Sequence, residues 1–156
     1  MPNPDFHEIV SEIQRFAETA NDFTALQEFS VDVIGARVPY HNWMGFYLLH
    51  PGDDKVLVLG PFRGAPTEHV RIPVTEGICG AAVAQGETVI VEDVSADPWY
   101  LACSVDTRSK IVIPIRANGK IAGEIDIDSQ ALNAFGADDR SFLERYAEVP
   151  GQFLEE

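Results

Sequence analysis

Cationic side chains are scarce in this sequence: 11 lysines and arginines stand against 25 aspartates and glutamates, giving a formal charge of −14. A surface with this charge repels phosphate groups, so nucleic acid and anionic membranes are unsuitable partners. Long apolar runs are also missing, and the sequence therefore predicts no membrane-spanning helix. The N-terminus lacks the basic and apolar regions of a secretory signal, so we expect a cytoplasmic protein.

Cysteine is equally sparse, since the chain contains only Cys79 and Cys103. In a reducing compartment, a disulfide between two such residues is typically transient and catalytic rather than structural. The cysteines and histidines show no zinc-site spacing, and there is no Walker or Rossmann glycine-rich loop and no Gly-x-Ser-x-Gly nucleophile elbow. We therefore expect no metal and no cofactor, which leaves the thiols as the first candidates for chemistry.

The periodicity of the apolar residues predicts a single α+β domain over residues 1–156. Residues 1–39 form a helical segment whose first helix begins at Asn3-Pro4, a capping side chain followed by proline. Residues 40–156 contain a mostly antiparallel sheet, a short helix over Gly77–Gln85 and a final helix with Pro150 near its end. The range 93–109 has no helical or strand period, which is typical of a functional or mobile loop covering a pocket.

The two cysteines occupy different kinds of segment. Cys103 lies in the aperiodic range and is followed by Arg108 and Lys110, whose charges could lower the pKa of its thiol. Cys79 lies between glycines, in Gly77-Ile-Cys-Gly80. It could resolve an oxidised Cys103 by forming a disulfide. For each thiol the alternative interpretation is a buried cysteine that only fills space.

Acidic and aromatic side chains alternate along two of the predicted strands. Asp126 and Asp128 share a strand face with Glu124, where carboxyl groups could hold an ammonium ion or, if burial raises a pKa, supply a proton. A solvated sheet face is the alternative. Trp43 and Tyr47 share a face of another strand, which suits either an aromatic grip on a thioether methyl or a cation, or an ordinary core.

Segments spread over most of the chain after residue 40 resemble the free methionine-(R)-sulfoxide reductases, small single-domain proteins with the GAF fold. In chain order they are Asn42-Trp-Met-Gly-Phe-Tyr-Leu48, Leu57-Val-Leu-Gly-Pro-Phe-Arg-Gly64, Gly77-Ile-Cys-Gly80, Val91-Glu-Asp-Val94, Leu101-Ala-Cys103, Ile111-Val-Ile-Pro114 and Gly123-Glu-Ile-Asp-Ile-Asp-Ser129. The resemblance implies a GAF fold, a homodimer and the reduction of free methionine sulfoxide to methionine.

The same resemblance implies roles for particular residues. Cys103 attacks the sulfoxide sulfur, backbone amides around Leu101 and Ala102 hold the sulfoxide oxygen, and a sulfenic acid remains. Cys79 then closes a disulfide, which thioredoxin reduces. Further residues match substrate-binding and proton-delivering acids and the aromatic walls of the pocket, namely Asp126, Asp128, Trp43 and Tyr47.

Two positions depart from the family's pattern. His69 stands where many relatives carry a third cysteine, so Cys79 is the resolving partner. Lys110 stands where the family usually has a glutamate that contributes to substrate binding, and this reversal of charge either lowers a thiol pKa or selects a more anionic ligand. The alternative functions are a non-catalytic GAF module that binds or senses a small molecule, with a pocket altered by Lys110, and a protein-interaction module that dimerises through its N-terminal helices.

Overall fold

The computed structural model describes residues 4–50, 52–74, 77–96 and 106–155, without the side chain of Asp54. The predictions for Leu101, Ala102 and Cys103 therefore lie outside the described residues. The elements are α1 Phe6–Thr19, α2 Phe23–Arg37, β1 Trp43–His50, β2 Asp53–Arg63, β3 Arg71–Pro73, α3 Gly77–Gln85, β4 Val89–Val91, a 3₁₀ turn Val94–Ala96, β5 Ser109–Ala117, β6 Lys120–Ser129 and α4 Ala137–Glu155.

The first helix begins two residues later than the sequence predicts. Asp5 is the residue that caps α1, because its carboxylate accepts a hydrogen bond from the backbone N–H of Glu8 at 3.0 Å. Pro4 precedes the cap instead of starting the helix. Asp22 caps α2 in the same way, through the N–H of Ala25. Both caps satisfy backbone N–H groups that a helix start otherwise leaves without partners.

The strands form one antiparallel sheet in the order β3-β2-β1-β6-β5-β4. Asn118 and Gly119 join β5 to β6 with φ values of 54° and 77°, which a two-residue hairpin turn requires. With an antiparallel sheet, helices before and after it and one short helix between β3 and β4, the architecture is α+β, as predicted. The outer limits of the predicted domain, residues 1–156, stay a prediction.

The two faces of the sheet bury different sets of side chains. One face packs against α2 and α4, which α1 contacts in turn, and includes Met44 and Phe46 of β1. The opposite face carries Trp43 and Tyr47 of the same strand, together with Cys79 of α3. The period of two along β1 thus separates the main core from a second, smaller cluster that holds the candidate site. In the described ranges, none of the helices has the length and apolarity that crossing a bilayer requires.

Helix α4 approaches the sheet closely at Gly151, one residue after Pro150. A Cβ atom at Gly151 would overlap the backbone carbonyl oxygen of Arg116 in β5. We expect Gly151→Ala to lower the free energy of unfolding by about 1–3 kcal/mol, because the helix must move away from the strand. Urea denaturation measures this loss, with Gln152→Ala at the exposed neighbouring position as the control. Equal losses in the two variants would contradict the packing described.

Candidate active site

Three acidic side chains of β6 point into the protein interior. Glu124 and Asp126 have no exposed surface and Asp128 is 1% exposed. Ile125 and Ile127, which alternate with them, enter the main core on the other face of the sheet. The alternation predicted for this strand is therefore present, and the alternative of a solvated face is wrong, since the carboxyl groups are buried.

Lys110 of β5 supplies the positive charge among these acids. Its Nζ atom lies 3.1 Å from both Oδ1 and Oδ2 of Asp126 and 3.1 Å from Oδ1 of Asp128. The register of the sheet brings them together, because Lys110 pairs directly with Asp128 across β5 and β6. Lys110 is only 1% exposed. The sequence alone does not predict which way the Lys110 side chain faces. In the structure it provides the cation of a buried group of ion pairs.

Cys79 reaches the same acids from α3. Its Sγ atom lies 3.6 Å from Oδ2 of Asp126. The helix packs closely against the end of β3 because residue 80 is glycine, where a Cβ would press against the carbonyl group of Val74. Burial raises the pKa of the Cys79 thiol well above its usual range. The neighbouring carboxyl groups of Asp126 and Glu124 add to this rise, which the positive charge of Lys110 only partly opposes. Cys79 is therefore held as a thiol rather than a thiolate.

Two of the three carboxyl groups favour the protonated form. Burial, and then the charge of Asp126, raises the pKa of Asp128 to about 8, against the opposing charge of Lys110. Burial also raises the pKa of Glu124 well above its usual range, against the opposing effects of a hydrogen bond with Cys79 and the charge of Lys110. At neutral pH the Asp128 carboxyl group therefore largely keeps its proton, which it could give to a bound ligand.

The aromatic pair of β1 lies beside the acids on the neighbouring strand. Trp43 pairs with Asp128 and Tyr47 pairs with Glu124 in the register of β1 and β6. The Trp43 Nε1–H donates to the carbonyl oxygen of Ala65 at 2.9 Å, and the Tyr47 hydroxyl donates to that of His69 at 2.7 Å. With these polar atoms engaged by backbone, the two rings contribute mainly apolar surface, and their centroids are 6.4 Å apart.

The structure thus brings together six of the predicted site residues, namely Trp43, Tyr47, Cys79, Lys110, Asp126 and Asp128. Glu124 also belongs to this group, although the sequence did not make it a candidate site residue. Its position two residues before Asp126, on the same strand face, could have indicated this. His69 contributes its backbone carbonyl oxygen to Tyr47. In the part of the chain that the structure describes, no group of three or more histidine, cysteine or acidic side chains has an arrangement that could hold a metal ion.

Comparisons with known proteins show the family of the chain. Residues 20–155 match the sequence model of the GAF domain. The chain is 38% identical to the free methionine-R-sulfoxide reductase of Escherichia coli over 90% of its own length and 79% of that protein's. It is 39% identical to protein YtsP of Bacillus subtilis, over 93% of this chain and 88% of that one.

Solved structures resemble the whole fold. The free methionine-R-sulfoxide reductase of Neisseria meningitidis, in complex with its substrate, superposes with a TM-score of 0.90 at 34% identity, covering 96% of this chain and 88% of that one. The corresponding protein of Staphylococcus aureus in its reduced form gives 0.89 at 30% identity, covering 97% and 96%. The similarity therefore extends over nearly the full length of each protein.

Proposed function

The chain belongs to the free methionine-R-sulfoxide reductases of the GAF-domain family, and we propose that it reduces free methionine-(R)-sulfoxide to methionine. The observation that carries the proposal is the contact between the Cys79 thiol and the Asp126 carboxyl group, at 3.6 Å inside a buried acidic cluster. The same cluster contains Asp128, which keeps its proton at neutral pH, so a thiol and a proton donor, the two groups that sulfoxide reduction by cysteine requires, lie in one water-poor site.

The raised pKa of Cys79 favours a division of roles between the two cysteines. A thiol that resists ionisation is a poor attacking group, so Cys103 is the better candidate for the attack and Cys79 for the later step. The Cys103 sulfur attacks the sulfinyl sulfur, the sulfoxide oxygen passes to Cys103, and methionine leaves. Cys103 is then a sulfenic acid, and the Cys79 thiol condenses with it to a disulfide with loss of water.

The remaining site residues have supporting roles in this reaction. Asp128, which keeps its proton at neutral pH, donates it to the sulfoxide oxygen as the sulfur–oxygen bond breaks, with Asp126 as its partner. Backbone amides around Leu101 and Ala102 hold the same oxygen. The rings of Trp43 and Tyr47 pack against the thioether methyl group. Thioredoxin reduces the disulfide by exchange with its own dithiol, which returns both thiols to the starting state.

The test is consumption of free L-methionine-(R)-sulfoxide by the purified protein, coupled to NADPH oxidation through thioredoxin and thioredoxin reductase. We expect turnover with the R epimer, none with the S epimer, and none when thioredoxin is omitted. A protein that is folded, fully reduced and inactive on the R epimer would overturn the proposal. Equal rates on the two epimers would also contradict it, since a built site distinguishes the configuration at sulfur.

A second candidate function is a GAF module that binds a small molecule without reacting with it. The observation in its favour is Lys110, whose ammonium group is held by Asp126 and Asp128. Such a module binds a sulfoxide or another metabolite without consuming it, so the same assay separates the two functions. A homodimer formed through the N-terminal helices and a cytoplasmic location fit either function and stay predictions.

A further inference from the structure

The buried acids already hold an ammonium group, and it belongs to the chain itself. We propose that Lys110 thereby determines specificity, so that the site prefers a methyl sulfoxide without a free amino group over the zwitterionic amino acid. This inference rests on the proposed sulfoxide reduction and concerns which sulfoxide the site takes best. It treats free methionine sulfoxide as the poorer of two substrates rather than as excluded.

The geometry commits the ammonium group of Lys110 to the acids. The Lys110 ammonium group donates hydrogen bonds to both carboxylate oxygens of Asp126, each 3.1 Å from Nζ, and Oδ1 of the Asp128 carboxyl group lies at the same distance. The side chains of the three residues are at most 2% exposed. A buried charge is stable only when it is paired and hydrogen-bonded, so the ammonium group cannot leave the acids without a large penalty.

A ligand ammonium group would therefore meet an occupied site. It would have to share Asp126 and Asp128 with Lys110, and like charges a few ångströms apart repel more strongly in a buried site than in water. The remaining acid offers little compensation, because burial favours the protonated form of Glu124. A sulfoxide without an amino group avoids this repulsion and keeps the contacts of its methyl group with Trp43 and Tyr47.

The experiment compares L-methionine-(R)-sulfoxide with (R)-γ-(methylsulfinyl)butyrate, which has the same carbon skeleton without the amino group. We expect the wild-type kcat/KM to favour the butyrate by about tenfold or more, from the repulsion between two partly buried ammonium groups. Lys110→Met removes the charge at similar length, and its ratio should move toward the amino acid by a similar factor. Lys110→Arg keeps the charge and should keep the wild-type preference.

Two results would overturn the inference: a wild-type preference for the amino acid, or the same ratio in Lys110→Met and Lys110→Arg. If Lys110→Met does not fold, Lys110→Gln replaces it, and the wild-type ratio is decisive on its own.

If neither compound is reduced, the proposed reaction fails, and calorimetric titration of the wild type with each compound decides the inference separately. Tighter binding of the butyrate supports it, whereas tighter binding of the amino acid, or binding of neither, overturns it.

Discussion

Cys103→Ser is expected to abolish the reduction of methionine-(R)-sulfoxide, lowering kcat by about 1,000-fold or more. A serine hydroxyl at neutral pH is a far weaker nucleophile than a thiolate, and it cannot accept the sulfoxide oxygen to form a sulfenic acid. The measurement is methionine formed per chain, with dithiothreitol as the reductant so that thioredoxin is not required. The variant should otherwise fold as the wild type does, because the substitution changes one atom.

Cys79→Ser is the matched control, and it should fail at a different step. The attack by Cys103 does not need Cys79, so this variant should form about one methionine per chain without any reductant. It should then stop as a sulfenic acid at Cys103, which dimedone labels and mass spectrometry detects. Wild-type protein under the same conditions should instead contain a disulfide between Cys79 and Cys103.

The opposite pattern would reverse the roles of the two cysteines. If Cys103→Ser formed one methionine per chain and Cys79→Ser formed none, Cys79 would be the attacking residue. The site would then have to lower the pKa of Cys79, although its surroundings in the described structure raise it. A substrate group that displaces Asp126 from the thiol could do this, so the pair of variants tests the electrostatics of the site as well as the order of steps.

The fold could be predicted from the sequence largely because single elements have clear periods. The alternation of Met44 and Phe46 with Trp43 and Tyr47 predicts both faces of β1, and the limits of α3 are Gly77 and Gln85 as predicted. The start of α1 could not be predicted as well. Three neighbouring residues, Asn3, Pro4 and Asp5, each suit the first positions of a helix, and composition alone does not rank them.

The place of Lys110 could not be predicted from strand periodicity, because it depends on a shift in register. Next to the turn, Arg116 pairs with Ile121, whereas Ile115 pairs with Gly123. Without this irregularity Lys110 would lie opposite Ile127. The shift of one residue places it opposite Asp128 instead, among the acids. Turn residues predict that a hairpin forms, but they do not predict an irregularity in the strand pairing beside the turn.

Asp126→Asn is expected to destabilise the protein much more than Asp128→Asn. Asp126 holds Lys110 through both carboxylate oxygens, and its loss leaves a buried ammonium group without its main partner, at a cost of about 3–5 kcal/mol. Asp128 has a pKa of about 8 and is mostly protonated near neutral pH. An asparagine there replaces a neutral group of similar shape and is relieved of the cost of protonating a buried carboxyl group near neutral pH, so the loss is at most about 1 kcal/mol. Urea denaturation of both variants near neutral pH measures the difference.

The pH dependence of the free energy of unfolding of Asp128→Asn tests whether Asp128 is protonated in the folded protein, and the direction of the expected change is defined. The pKa of Asp128 rises from 3.8 in the unfolded chain to about 8 in the folded protein. Between these values the folded protein binds the proton more tightly, so this group makes the free energy of unfolding fall as the pH increases. Asp128→Asn lacks this fall, and its deficit relative to wild type should shrink across that interval. A deficit that grows with pH would show that Asp128 is ionised beside Lys110, and the proton for the sulfoxide oxygen would then have to come from another group.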